Sequence, residues 1–219
     1  MCGRIVQCSS STAYADALLA VPCGPVPPTY NLCPSQLITI CRQVQERELV
    51  QLRWGLVPFW AKDPKTGYNA FNARAETVAA KPAFREAFKR RRCLIPVDGF
   101  YEWRQAIPKQ PFFVHRADGH PFALAGVWDH WENAGQVIDS AAIIVTGGNA
   151  MMKPIHDRMP VIIDPGDFER WLNPEVDGHQ LIDLLRPHDE QGYEAYQVSA
   201  VVNKPQNNSP ELVKRLVGA

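Results

Sequence analysis

The chain has no segment that reads as a membrane span or as an export leader. No apolar run reaches the length needed to cross a bilayer. The opening MCGRIVQCSS has neither the basic flank nor the apolar core of a signal peptide. A cytoplasmic address is the expectation. Metal-ligand spacing is missing too. The six cysteines, Cys2, Cys8, Cys23, Cys33, Cys41 and Cys93, contain no Cys-x-x-Cys pair and no His at zinc-finger distance. Without export, reduced thiols are expected, and neither a metal nor another cofactor is called for. Internal repeats and linkers are lacking, and the balanced composition argues against disorder. A chain of 219 residues with 46% hydrophobic content can bury roughly 70% of its unfolded surface without a covalent staple. One domain spanning residues 1–219 is expected.

Net charge is also lacking: 23 Lys and Arg stand against 23 Asp and Glu. The distribution is uneven. Residues 1–110 carry 15 basic and 8 acidic side chains, and residues 111–219 carry 8 and 15. A basic half beside an acidic half fits either a polyanion-binding face or ion pairing between the halves.

Residues 3–7, 37–42, 49–54, 93–97, 100–104, 111–115, 122–127, 138–146 and 195–199 read as strands. Helices are predicted over 12–19 behind the N-cap candidates Ser9, Ser10 and Ser11, over 82–90 with Phe84 and Phe88 on one face, over 165–172 and 179–185, and from Pro210. Residues 23–34 read as a proline-rich surface crossing, and 55–69 as a long loop with aromatic and apolar residues that have no evident core partner. Turn signals fall at 106–108, 118–119 and 133–135. Strands outnumber helices and do not alternate with them. The predicted class is α+β, with a mainly antiparallel, curved or barrel-like sheet flanked by short helices.

Four positions carry chemistry. Loss of Met1 from Met1-Cys2-Gly3 leaves Cys2 with a free amine beside its thiol. An α-amine is partly neutral near pH 7 and condenses with an aldehyde to a Schiff base, which the thiol can close to a thiazolidine. A buried, inert cysteine at a strand start is the plainer alternative. In Phe71-Asn-Ala-Arg-Ala-Glu-Thr77, Asn72 offers an amide and Arg74 a phosphate-binding fork, unless Arg74 and Glu76 simply pair. In Val97-Asp-Gly-Phe-Tyr-Glu-Trp103, alternation puts Glu102 on the face of Phe100, opposite Tyr101 and Trp103. There desolvation would tune it for proton transfer, unless it lies at the surface. In Pro154-Ile-His-Asp-Arg-Met-Pro160, His156 sits on a turn between prolines, as a proton-transfer group or as a histidine bonded to Asp157. The other five histidines receive no role.

Together these segments resemble the SOS response-associated peptidase family of abasic-site processing proteins. The resemblance runs through Met1-Cys-Gly-Arg4, Tyr30-Asn-Leu-Cys-Pro34, Arg53-Trp-Gly-Leu-Val-Pro58, Asn72-Ala-Arg-Ala-Glu-Thr77, residues 92–103, Ile155-His-Asp-Arg-Met-Pro160 and residues 202–212, nearly the whole chain. It implies catalytic roles for Cys2, Asn72, Glu102 and His156, and DNA contacts for Arg4, Pro34, Trp60, Arg74 and Thr146. It also implies a monomer that binds single-stranded DNA containing abasic sites, at the nucleoid through that DNA, and acts in the DNA damage response. Two departures are visible: Cys33 where Ala is usual, and Gly147-Gly148 where a bulkier pair precedes Asn149.

Other readings differ in chemistry. A lyase would complete β-elimination from the Schiff base and nick the strand. An N-terminal-nucleophile amidohydrolase also begins Met-Cys-Gly, but its further glycine-rich and arginine signatures are missing here. A protease lacks an evident triad, although removal of its own Met1 would be a modest peptidase activity. A non-enzymatic DNA-binding module would form no adduct at all.

Overall fold

The computed structural model describes residues 2–105 and 107–216. In chain order the strands are β1 (Ile5–Gln7), β2 (Thr29–Leu32), β3 (Leu37–Gln43), β4 (Arg47–Trp54), β5 (Asn72–Arg74), β6 (Arg92–Val97), β7 (Gly99–Arg104), β8 (Gln110–Arg116), β9 (Phe122–Asn133), β10 (Gln136–Gly147), β11 (Arg158–Pro160), β12 (Ile162–Ile163) and β13 (Tyr193–Gln197). The α-helices are α1 (Ser11–Leu18), α2 (Arg85–Arg90) and α3 (Phe168–Leu172).

Five strands close a barrel. β4 pairs antiparallel with β3, β3 with β6, β6 with β9 and β9 with β10. A parallel pairing of β10 with β4, Ser140 opposite Arg53 and Ala141 opposite Trp54, completes the ring. Closure leaves no open edge among these strands. β10 then runs on past the ring. β5 takes the place of β4 beside it, Asn72 opposite Ile143, and β11 takes the place of β9, Met159 opposite Thr146. The short segments on either side of the β10 end are therefore those that carry Asn72 and the His156 loop. A second, fully antiparallel sheet runs β13-β8-β7-β1-β2. It joins the barrel at the β6–β7 corner, where a Cβ on Gly99 would lie 2.4 Å from the Phe113 ring, so only glycine fits.

Alternation sorts the side chains. One face of the barrel strands, with Ile38, Ile40, Trp54, Cys93, Ile95, Leu124 and Ile143, packs with Ile5, Phe100 and Val114 of the second sheet and with Cys2. The other face, with Cys41, Leu49, Leu94, Ala125 and Ile144, packs against Tyr14 and Leu18 of α1, Phe88 of α2 and Trp171 of α3. The outer face of the second sheet, Val6, Tyr101 and Phe113, is covered by Val198, Val202 and Leu212.

The α+β class with a mainly antiparallel, barrel-like sheet is thus the observed one. Of the N-cap candidates, Ser10 accepts the Ala13 N–H, and Leu19 ends α1 in the left-handed conformation at φ 52°. Several local expectations change. Residues 29–32, expected within a surface crossing, form β2. The Tyr101 hydroxyl donates to the Tyr30 carbonyl at 2.9 Å, and Asn31 donates to the carbonyls of Val202, Lys204 and Asn207. All these partners are distant in sequence. The helix expected over 179–185 is a 3-10 segment, Gly178–Leu184, pressed against Phe88, whose ring would lie 2.8 Å from a Cβ on Gly178. The helix expected from Pro210 is likewise 3-10, Pro210–Val213. The helix over 82–90 shortens to α2, with Phe84 at its N-cap and both Phe84 and Phe88 buried as expected. Of the turn at 106–108, Ala106 lies outside the described residues.

Candidate active site

Cys2, just ahead of β1, is fully buried in the cluster that contains Ile5 and Phe100. Asn72 opens β5 and donates its Nδ2 hydrogen to the Cys2 carbonyl at 2.7 Å. Its Oδ1 is buried and has no hydrogen-bond partner among the described residues. Glu102 on β7 is 3% exposed and shares the face of Phe100, as alternation required, which removes the surface alternative. Burial pushes its carboxyl above the ordinary carboxylate range, opposed in part by the charge of His156. The Cys2 thiol is pushed well up as well, by burial first and then by the Glu102 charge. Glu102 therefore lies within electrostatic reach of both the Cys2 thiol and His156.

His156 ends a tight turn capped by Asn149, whose Oδ1 accepts the Met152 N–H at 2.9 Å; the His156 N–H then donates to the Met152 carbonyl at 2.8 Å. Its Nδ1 lies 3.0 Å from the Arg158 N–H and 2.9 Å from Asp157 Oδ1. One nitrogen cannot accept the first and donate to the second together. A bare Nδ1 accepts the Arg158 hydrogen, and an Nδ1 that carries a hydrogen donates it to Asp157, so the two partners are alternatives set by where the ring hydrogen sits.

Two cavities meet at Arg74. One, of about 650 Å³, is lined by Asn69, Asn72, Arg74, Thr77, Ala80 and Lys81. The other, of about 410 Å³, is lined by Arg74, Val145, His156, Asp157 and Arg158. Arg74 is exposed between them and forms no ion pair among the described residues. Glu76 instead bonds to Arg158, which sets aside a structural Arg74–Glu76 pair. The result is a groove with cationic walls and the Asn72 amide and His156 ring along it.

The remaining predicted contacts are spread more widely. Trp60 is 53% exposed beside Phe59. Pro34 lies in the β2–β3 turn, where the Ser35 N–H donates to the Trp54 carbonyl and the Trp54 indole donates to the Phe71 carbonyl, next to Asn72. Thr146 is 5% exposed on β10. Arg4 is on the side of Trp103, 5.7 Å over its ring, and its guanidinium donates to Asn31 Oδ1 and the carbonyls of Val202 and Asn203. Those donors tie β1 and β2 to the C-terminal segments and do not join the Cys2 cluster. Gly148, noticed in the sequence only as a departure, has a steric role: a Cβ there would meet the His156 carbonyl at 2.9 Å. Asn149, as the cap of the His156 turn, gave no such signal. Among the described residues no group of three or more His, Cys, Asp or Glu could hold a metal ion, and no helix is long and apolar enough to cross a membrane.

In this barrel-and-sheet fold a buried cysteine lies just ahead of the first strand, with the Asn72 amide bonded to its carbonyl and the Glu102 carboxyl within electrostatic reach of its thiol. The chain belongs to the SOS response associated peptidase (SRAP) family, whose model matches residues 1–205. It is 43% identical to the abasic site processing protein YoqW of Bacillus subtilis, covering 98% of this chain and 99% of that protein. It is 33% identical to the abasic site processing protein HMCES of Xenopus tropicalis, over 87% of this chain and 67% of that one. A crystal structure of a Bacteroides thetaiotaomicron protein superposes with a TM-score of 0.88 at 26% identity, covering 99% of this chain and all of the other.

Proposed function

We propose that this chain processes abasic sites in single-stranded DNA, and that Cys2, freed by removal of Met1, captures the open-chain sugar aldehyde as a covalent thiazolidine. The observation that carries this reading is the Asn72–Cys2 hydrogen bond beside the raised Glu102 carboxyl. The bond grips the carbonyl of Cys2 and not its nitrogen, so it survives when that nitrogen becomes a terminal amine. The amine and the thiol then hang from one fixed Cα.

The Cys2 amine adds to the aldehyde carbon to give a carbinolamine. Loss of water, with a proton delivered by Glu102 or His156, forms the C=N bond. The thiol then adds to that carbon: the S–C bond forms, the sulfur proton leaves through Glu102, and the former imine nitrogen takes up a proton. One water is released overall. The raised thiol makes a nearby base necessary, because burial keeps it protonated near neutral pH. Ring closure consumes the imine that would otherwise drive β-elimination and shields the lesion.

Along the DNA, Arg74 and Lys81 suit phosphates on one side of the sugar and Arg158 on the other, while Trp60 offers a base-stacking surface. Pro34 and Thr146 would contact the strand from the neighbouring turn and the end of β10. Arg4 would act near the strand while bracing the C-terminal segments. The test is mass spectrometry after mixing the processed protein with an oligonucleotide bearing one abasic site. The expected product is a protein–DNA adduct lighter by one water than the sum of its parts. A nicked strand without that adduct would replace the reading with a lyase.

A further inference from the structure

Phe59 and Trp60 are 50% and 53% exposed, yet the backbone beneath them is fastened by buried polar groups. The Val57 N–H donates to Ser140 Oγ at 2.8 Å, the Phe59 N–H donates to Asp129 Oδ2 at 3.1 Å, and the buried Trp131 indole donates to the Ala61 carbonyl at 2.7 Å. Val57, Ala61 and Trp131 form a small buried cluster of their own. All three anchors belong to the β9–β10 hairpin.

Asp129 is the unusual member. Its side chain is 3% exposed, and its Oδ1 lies 2.9 Å from Arg91 Nη2. Arg91 in turn stands 6.0 Å from the Phe59 ring centroid. Apart from the neighbouring His130 N–H, everything the Asp129 carboxylate binds among the described residues is either the loop backbone or the arginine against the loop's first ring. Burying a carboxylate is costly, and an apolar side chain would serve packing as well. Placing a buried charge under two exposed aromatics makes sense if the loop must hold one shape.

We propose that Asp129, with Arg91 and Ser140, is a positioning residue that keeps Phe59 and Trp60 as a preformed stacking platform for unpaired bases. This rests on the reading of the chain as a single-strand binder. A loose loop would lose its freedom on binding and return part of the stacking gain, whereas a fixed one does not.

The experiment measures binding of undamaged, fluorescein-labelled oligothymidine, with hydrogen exchange over residues 57–61, in wild type, Asp129→Asn, Ser140→Ala, Trp60→Ala and Asp129→Asn/Trp60→Ala. Asp129→Asn is expected to speed exchange in the loop and weaken binding roughly tenfold. It should raise KM for abasic-site crosslinking far more than it lowers the saturated rate, and it should add nothing in the Trp60→Ala background. Ser140→Ala, which removes only the Val57 anchor, should give the same pattern at smaller amplitude and stands in if Asp129→Asn does not fold. Wild-type affinity in Asp129→Asn with a loosened loop, or an equal loss with and without Trp60, overturns the proposal. Wild type that does not bind oligothymidine overturns the single-strand reading and the proposal with it.

Discussion

Asn72 holds the carbonyl of Cys2 at 2.7 Å from a strand that pairs with the far end of β10, 70 residues along the chain. The grip fixes the Cα of Cys2, while the amide oxygen of Asn72 stays buried and without a hydrogen-bond partner among the described residues. In the proposed mechanism that oxygen is left to receive an N–H or O–H. Asn72→Asp should therefore preserve much of the shape but slow adduct formation by about a hundredfold, since the carboxylate would repel both the Cys2 carbonyl and Glu102. Single-turnover crosslinking checks this, and an unchanged rate would remove Asn72 from the mechanism.

The proposed mechanism requires Cys2 as the terminal residue. Cys2→Ser and Cys2→Ala, once Met1 is removed, should still give an imine that borohydride traps, but no adduct that survives heating. A protein that keeps Met1 should give neither. Equal crosslinking by Met1-retaining and processed protein, with the terminus verified by mass spectrometry, would contradict the amine–thiol mechanism.

Single-stranded DNA, or a junction of single strand with duplex, should bind better than intact duplex. The cationic groove around Arg74 predicts affinity that falls with salt in proportion to the phosphates neutralised. Arg74→Ala should lower both the affinity and the salt slope, the latter by about one unit. Trp60→Ala should lower affinity without changing the slope. A salt titration in which duplex and single strand bind alike would argue against this groove as the binding face.

Glu102 should trade stability for reactivity. Burial raises its pKa above the ordinary 4.5, so the folded state holds this proton more tightly than the unfolded chain does. The stabilising contribution is complete below the unfolded value and is lost as pH rises through the folded one. Glu102→Gln should then melt higher than wild type at pH 7 to 8, by on the order of a few degrees. The two should converge toward pH 4. Crosslinking should slow by roughly a hundredfold, with one limb of the pH–rate profile gone. A variant that is less stable at pH 8 and reacts normally would show that Glu102 is a charged structural partner. His156→Ala should likewise slow the reaction while leaving affinity for undamaged strand nearly unchanged.

Gly147 and Gly148 separate sharply. A Cβ at Gly148 meets the His156 carbonyl at 2.9 Å, whereas at Gly147 nothing lies within 4 Å. Gly148→Ala should displace the His156 turn and cut the crosslinking rate about tenfold or more, and Gly147→Ala should be close to neutral. Stopped-time crosslinking of both variants, beside their melting curves, distinguishes a misplaced imidazole from lost fold.

Much of this protein could be read along the chain. Alternation alone placed Glu102 on the Phe100 face, and helical spacing placed Phe84 and Phe88 together, because both depend on periods of two and about four residues that local geometry enforces. The four candidate residues stand in short motifs that each left a structural alternative open, and only the family resemblance joined them, whereas the exposure of Trp60 was legible from its loop. Closure of the barrel by a parallel β4–β10 pairing was not, nor was β2, whose partners lie up to 178 residues away. No local pattern announces which edges will meet. The charge partners were decided the same way: Glu76 joins Arg158, not its near neighbour Arg74, and Arg4 turns to Asn31 and the C-terminal carbonyls. Sequence determined what each residue can do. The tertiary structure decided what it faces, because burial, pKa direction and hydrogen-bond partner all depend on chain segments brought together only by the closed sheet.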